Sequence, residues 1–355
     1  MSFQLERIAE DCDPLRSFYT DSLLAALRKV SIANAQELLL WSVDDLVQQT
    51  GLSRPLIKAF KADVARHLTP LASNGWDLYQ YASITQRTHS SGIKAVDELL
   101  HGGFCTQELS ELSGPSCGGK TSLCLSTIVH LLLSDPVATI IVLDTTGSFD
   151  AAHVVELLQH SAKSVNPCIN VNDHLEISRL LNRVRTLELY DIETAFAVIE
   201  GLVTESVEED EDHNFNENLE LLVFDSFSVL FTPLLSSTQG QGHALMLSLA
   251  RKLKRLAIDK NIAVLLTTTA VHAHAAQVSN QHSYFNTTFS RPALGASWTF
   301  CKDLLVYIQR KADLEQNQPE LQSNRLIRRH VAMGRVAEVM TSRRFQSGGW
   351  CLYDA

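Results

Sequence analysis

The sequence predicts an α/β fold: a mostly parallel central sheet flanked by helices over residues 91–355, preceded by a small all-helical domain over residues 1–68. Three observations carry this. From about residue 91 apolar, strand-like runs alternate with amphipathic, helix-like runs, the pattern of a parallel sheet with crossover helices. GPSCGGKT, residues 114–121, fits G-x-x-x-x-G-K-[ST] and stands between a strand-like run ending at Ser113 and a helix-like run beginning after Lys120. Upstream, apolar residues recur at helical spacing.

Composition narrows the function classes. A chain of 355 residues has room for one large core and a smaller module. Its 45% apolar and 20% charged residues match globular norms and exclude a disordered or fibrous chain. No apolar stretch reaches the roughly 18 to 20 residues that span a bilayer, and the acidic start MSFQLERIAEDCD lacks the basic and apolar order of a signal peptide, so a soluble intracellular protein with no membrane partner is expected. Seven cysteines without a C-x-x-C pair make neither a disulfide framework nor a zinc site, which fits a reducing compartment. A net charge of -10 disfavours wrapping a polyanion unaided, so any DNA contact is expected to be local or shared with partners.

In the N-terminal domain Leu23, Leu24 and Leu27, then Leu38, Leu39 and Trp41, then Leu56, Phe60 and Val64 mark buried helical faces. Ser42 with Asp45 three residues on resembles a capping box, Gly51 can end that helix in the left-handed conformation, and Ser53 can cap the next one with Pro55 in its first turn. LVQQTGLSRPLIKAF is loosely like a helix-hairpin-helix, a turn that offers backbone N–H groups to DNA phosphate. Ser53 replaces a glycine of that turn, and a protein-docking module is the competing expectation. Residues 69–90, with Pro70, Gly75 and a Ser/Thr-rich run, are expected to be a linker.

Within the core, ELSELS and ATIIVLD read as strands around the helix TSLCLSTIVHLLL. RVRTLELY (strand), IETAFAVIEGL (helix), LELLVFD (strand), ALMLSLARKLKRLAID (helix) and IAVLLTTT (strand) follow. DLLVYIQR and RLIRRHVAM are expected as strands, and VAEVMTS with QSGGW as a closing hairpin. The acidic run at residues 205–218 has no apolar anchor and is expected to be a solvated loop.

The chemistry begins at the glycine-rich turn. Glycines open backbone conformations in which successive N–H groups converge on phosphate at a helix N-terminus, so Gly114, Pro115, Ser116, Cys117, Gly118, Gly119, Lys120, Thr121 and Ser122 are the expected ATP-binding residues. Lys120 is expected to reach the terminal phosphates and to be the catalytic group if hydrolysis occurs. Thr121 is expected to hold Mg2+ through its hydroxyl, with Asp225, delivered by the strand LELLVFD, as second metal residue. Cys117 is tolerable in a loop that works through its backbone, a redox-sensing thiol being the sharper idea, and Cys124 reads as a core residue.

SGIKAVDELLHGGF, the P-loop itself, VLDTTGSFD, LLVFDSFSVLFTPLLSS, ALMLSLARKLKRLA, AVLLTTT and RPALGASWTF resemble, in order, the RecA/RadA recombinase superfamily, from about residue 84 almost to the end. PLLSS with GHALMLSLARKLK, RPALGASW and NGWDLY resemble the eukaryotic recombinase paralogues, the D-type paralogue most closely. The resemblance implies a RecA-like core over residues 91–355. It also shows where the chain departs from strand-exchange members. In these a D-T-E-G-T-F segment supplies a glutamate that activates the attacking water, and Thr146 stands in its place. They also end the later strand in T-N-Q, whose glutamine senses the terminal phosphate, and Thr268 and Thr269 stand in these last two places. A hydroxyl is no general base at neutral pH, so hydrolysis is expected to be weak or absent.

The two loops that by resemblance face DNA are poor in cations: TPLLSSTQGQGH has none, and AVHAHAAQVSNQHSYFNTTFSR has Arg291 alone. Tyr284, Phe285 and Phe289 are candidates to stack on bases, and His272 and His274 are more simply loop residues than metal ligands. Arg251, Lys252, Lys254 and Arg255 form a basic cluster, either a solvated helix face or a contact to DNA or a partner. Pro292, in the segment Arg291–Gly295, corresponds to a family loop that lies against ATP at a subunit boundary. The resemblance therefore implies an ATP-binding subunit of a hetero-oligomeric paralogue complex that assists homologous recombination and double-strand break repair. It would reach single-stranded or branched DNA through the complex, in the nucleus or the cytoplasm. An active DNA-dependent ATPase with strand exchange, and a P-loop kinase or small-molecule NTPase, are the alternatives.

Overall fold

The computed structural model describes residues 21–32, 34–69, 72–203, 215–235, 240–272, 283–285, 290–292, 294–317 and 334–354. The chain divides into two compact units, Met1–Ser83 and Ile84–Ala355.

The first unit holds helices α1 (Asp21–Lys29), α2 (Ala35–Leu40), α3 (Val43–Thr50) and α4 (Arg54–Leu68). Leu23, Leu27, Leu38, Leu46, Ile57, Phe60 and Val64 meet in one apolar core. Leu39 faces solvent, and Ile57 rather than Leu56 occupies the fully buried place on α4. The capping box is present: the Asp45 N–H donates to Ser42 Oγ at 3.1 Å and the Ser42 hydroxyl donates to Asp45 Oδ2 at 2.6 Å. Gly51 ends α3 at φ 70°, as its position in the sequence requires. Ser53 sits at the N-cap of α4 but makes no side-chain cap bond, a departure from expectation. In the turn read as helix-hairpin-helix-like, the Gly51 N–H already donates to Val47 O and the Leu52 N–H to Thr50 Oγ1, so neither is free for phosphate.

The expected linker is not unstructured. Residues 75–85 form α5 (Gly75–Thr85), because Asn74 accepts from the Asp77 N–H at 2.9 Å and caps the helix. None of its side chains is buried, and Trp76, Leu78, Tyr79 and Tyr81 lie exposed.

The second unit continues with β1 (Thr88–His89), α6 (Lys94–Leu99), β2 (Phe104–Cys105), β3 (Leu109–Gly114), α7 (Lys120–Ser134), β4 (Thr139–Asp144), α8 (Ala151–Val165), α9 (His174–Leu181), β5 (Val184–Glu188) and α10 (Ile192–Val203). After it come β6 (Leu219–Asp225), α11 (Phe227–Leu235), α12 (Gln241–Asp259), β7 (Ala263–His272), β8 (Ser290–Pro292), a 3-10 turn (Ala296–Phe300), β9 (Leu304–Arg310), α13 (Lys311–Asn317), β10 (Arg335–Ser342) and β11 (Trp350–Tyr353). The main sheet has the order β11-β10-β9-β3-β7-β6-β4-β5, with β8 paired to β7 and a separate β1-β2 ribbon. β9, β3, β7, β6, β4 and β5 run parallel, and β10 and β11 turn back as the expected hairpin. RLIRRHVAM and most of the acidic run lie outside the described residues.

Two apolar layers cover the sheet, and strand alternation assigns side chains to each. Ile140, Val142, Leu221, Val223 and Leu265 face one layer with Leu123, Ile128 and Leu132 of α7. Ile141, Leu143, Leu222, Phe224 and Leu266 face the other with Met246, Leu249, Leu253 and Leu256 of α12, whose spacing of three and four residues makes one helical stripe. Strands buried on both faces explain why their sequences read as continuous apolar runs.

Candidate nucleotide site

Parallel register brings the polar strand ends to one edge. Gly114 lies level with Thr269, and Asp144 with Asp225. The turn from β3 into α7 begins where no side chain fits: a Cβ on Gly114 would lie 2.0 Å from Ile308 O of β9. One on Gly119, at φ +107°, would lie 2.5–2.7 Å from Cδ, Nε and Cζ of Arg335. Cys117 is exposed and also takes a positive φ, 58°. Pro115 and Ser122 are half-buried and Ser116 is exposed.

Lys120, the first residue of α7, folds back on its own loop: its Nζ donates to Gly114 O at 3.1 Å and Pro115 O at 2.9 Å. Burial pulls its pKa below the ordinary lysine value, and the nearby Asp225 carboxylate opposes the shift. A half-desolvated ammonium held by neutral carbonyls is a place where phosphate oxygens improve the charge balance. Thr121 Oγ1 donates to Asp225 Oδ2 at 2.6 Å across 104 positions of chain, and Thr267 donates to Asp225 Oδ1. A hydroxyl and a carboxylate are the hard oxygen donors that Mg2+ takes, usually one or two from protein with the rest from phosphate and water. Among the described residues no group of three or more His, Cys, Asp or Glu could hold a metal ion. The glycine cradle, the folded-back lysine and the Thr–Asp pair fit a magnesium-bound triphosphate.

The remaining strand ends are locked by hydroxyls. Asp144 Oδ1 accepts from the Thr146 N–H at 2.8 Å and from its hydroxyl at 3.1 Å, while Oδ2 accepts from the Phe149 N–H at 2.8 Å. The buried carboxylate thus shapes the DTTGSF turn and leaves Thr146 at the surface. Thr145 exchanges hydrogen bonds with the Ser226 backbone, both at 2.9 Å. The Thr269 N–H donates to Ser228 Oγ at 3.1 Å. Thr268 points away from this edge and donates to Oε1 of the fully buried Glu111, whose Oε2 meets Trp298 Nε1 and Lys302 Nζ. Pro292 lies opposite Ala270, one residue beyond Thr269.

The stacking expectation fails at Phe285. Phe285 is 1% exposed and packs with Leu314, Val336, Leu352 and Trp350, so it cannot stack on bases without leaving that core. Tyr284 remains half-exposed. Phe289 and His274 lie outside the described residues, and His272 ends β7. The basic cluster is divided among partners: Lys252 pairs with Glu200, Lys254 with Asp303, and Arg255 with Asp259. Arg335 was not foreseen. Its guanidinium covers Gly119, and Nη1 is buried without a hydrogen-bond partner among the described residues. Only β10–β9 pairing brings it there, and no local sequence signal marks it.

Comparison with known proteins adds three findings. The family model described as Rad51 matches residues 84–311. DNA repair protein RAD51 homolog 4 of Bos taurus is 28% identical over 284 residues, covering 79% of each chain. DNA repair protein RAD51 homolog 2 of Homo sapiens is 26% identical over 259 residues, covering 70% of this chain and 64% of that one. A solved structure, the crystal structure of the RadB recombinase, aligns with a TM-score of 0.50 at 19% identity, covering 75% of this chain and 94% of the other; it shows a shared fold.

Proposed function

The chain belongs to the Rad51 family, and from that premise we propose that it is an ATP-binding subunit of a hetero-oligomeric recombinase-paralogue complex that assists homologous recombination and double-strand break repair. The chain is homologous to proteins named for DNA repair and recombination. The observation that carries the finer reading is the pairing of a complete phosphate and magnesium cradle with hydroxyls where an acid–base group is needed. Lys120 would exchange the Gly114 and Pro115 carbonyls for phosphate oxygens, and Thr121 with Asp225 would hold magnesium. Bound magnesium would supply charge neutralisation at the phosphates. Thr146 already shares its hydroxyl with Asp144 and Ser148, and an alcohol takes no proton from water at neutral pH. Nucleotide then serves to set the geometry between subunits, with Pro292 as the residue facing a neighbour, and turnover is slow. Other paralogues are the partners, DNA is reached through the complex, and the nucleus is the place of action.

The test is co-expression with candidate paralogues followed by native mass measurement with and without magnesium-ATP. A hetero-oligomer that dissociates when nucleotide is removed supports the reading. An unchanged mass in both conditions refutes the structural role of ATP. Turnover stimulated by DNA in the isolated chain would favour the strand-exchange alternative.

A further inference from the structure

We propose that a groove between α12 and the 3-10 turn Ala296–Phe300 docks an acidic peptide segment of a partner protein, one that carries an aromatic or large aliphatic side chain. The groove encloses about 650 Å³. It lies at the end of the sheet opposite the nucleotide cradle: the last turns of α12 lead into the amino end of β7, and Cys301–Asp303 lead into the amino end of β9, whereas the cradle follows the carboxyl end of β3.

Charge selects the occupant. In a chain of net charge -10, this groove gathers four cationic side chains, Arg251, Lys254, Arg255 and Arg343, against two carboxylates, Asp259 and Asp303. Asp303 is already consumed: it accepts from the Leu109 N–H at 2.8 Å, pairs with Lys254 at 2.5 Å and with Arg343 at 3.0 Å. Arg255 is paired with Asp259, and Arg251 has no carboxylate partner among the described residues. The surplus is cationic, so an acidic ligand is favoured and a basic one repelled.

The apolar part of the lining separates a peptide from a nucleic acid. Phe300 is 83% exposed and Ile258 49%, and Leu247 and Ala250 contribute apolar surface from α12. A large exposed aromatic beside an apolar floor matches the anchor-in-pocket arrangement of peptide recognition, with cations at the rim for register. A nucleic-acid strand would be met by unpaired cations in a row, whereas Lys254 and Arg343 share Asp303 and Arg255 holds Asp259.

The test uses the full chain and a fluorescein-labelled heptapeptide of Asp and Glu around one central Phe, read by anisotropy. Saturable binding is expected, weakened at least tenfold by Arg251→Glu, by Phe300→Ala, and by Ala in place of the peptide Phe. Both protein substitutions lie at exposed positions, and an unchanged thermal transition and unchanged magnesium-ATP affinity verify the fold. No binding, equal binding by the variants, or equal binding of the Ala peptide overturns the proposal. Displacement of the peptide by a twenty-nucleotide oligo-dT whose own binding falls with Arg251→Glu would assign the groove to nucleic acid and overturn the peptide assignment.

Discussion

Replacing Lys302 with Met tests a buried ion pair in the core. The Lys302 and Glu111 side chains are 1% and 0% exposed, and Nζ meets Oε2 at 2.5 Å. Glu111 also accepts from Thr268 Oγ1 at 2.5 Å and Trp298 Nε1 at 2.8 Å, so the carboxylate has two neutral donors besides its counterion. Met keeps the unbranched stem and removes the charge, leaving an uncompensated carboxylate with two neutral donors. Breaking a buried pair in this way costs about 3–5 kcal/mol. Better packing of the thioether end recovers about 1 kcal/mol, so a net loss of about 3 kcal/mol is expected. In the double variant Glu111→Leu with Lys302→Met no buried charge remains. Thr268 and Trp298 lose their acceptor at about 1 kcal/mol each, so this variant is expected to lose about 2 kcal/mol, less than either single change. Urea denaturation followed by far-UV circular dichroism measures all three. A loss below about 1 kcal/mol for Lys302→Met, or a double variant that costs the sum of the singles, would refute the view that the pair is dry and mutually dependent.

Other expectations concern the nucleotide edge. Lys120→Ala removes the cation that donates to the Gly114 and Pro115 carbonyls, and charge-assisted bonds of about 1.5–3 kcal/mol each predict a loss of magnesium-ATP affinity of about a hundredfold or more. Calorimetric titration reads this, and wild-type affinity in the variant contradicts the cradle. Thr146→Glu is expected to raise basal hydrolysis about a hundredfold, the low end of general-base effects. Phosphate release measures it, and no gain means that Thr269 must change as well. Maleimide should label exposed Cys117 ahead of buried Cys124 and of Cys351, whose thiol burial pushes up to about 12. Magnesium-ATP should slow labelling at Cys117, as peptide mass mapping can show, and unprotected labelling places the nucleotide elsewhere.

Much of the core was legible because its signals are local. The turn from Gly114 to Thr121 declares itself by backbone demands that only glycine meets, and the doubly buried strands by unbroken apolar runs. Ser42, Asp45 and Gly51 are equally local, since a cap is closed by residues three or four apart. Legibility ended where a side chain's fate depends on distant chain. Phe285 looked like a loop aromatic, but Leu314, Val336 and Leu352 bury it. The sequence left the cluster from Arg251 to Arg255 as either a solvated helix face or a contact surface, and Glu200 and Asp303, supplied by other elements, take two of its cations. Residues 69–90 read as linker from Pro70, Gly75 and a Ser/Thr-rich run, yet residues 75–85 form a helix whose first turn Asn74 caps.

By itself, then, the sequence determined the α/β class and the phosphate turn, both properties of contiguous residues and their backbone preferences. Only the tertiary structure decided that Arg335 lies over Gly119 and that Thr268 is committed to Glu111. Those contacts follow from strand order and register, which arise from burying two helical layers at once and have no trace in any single segment.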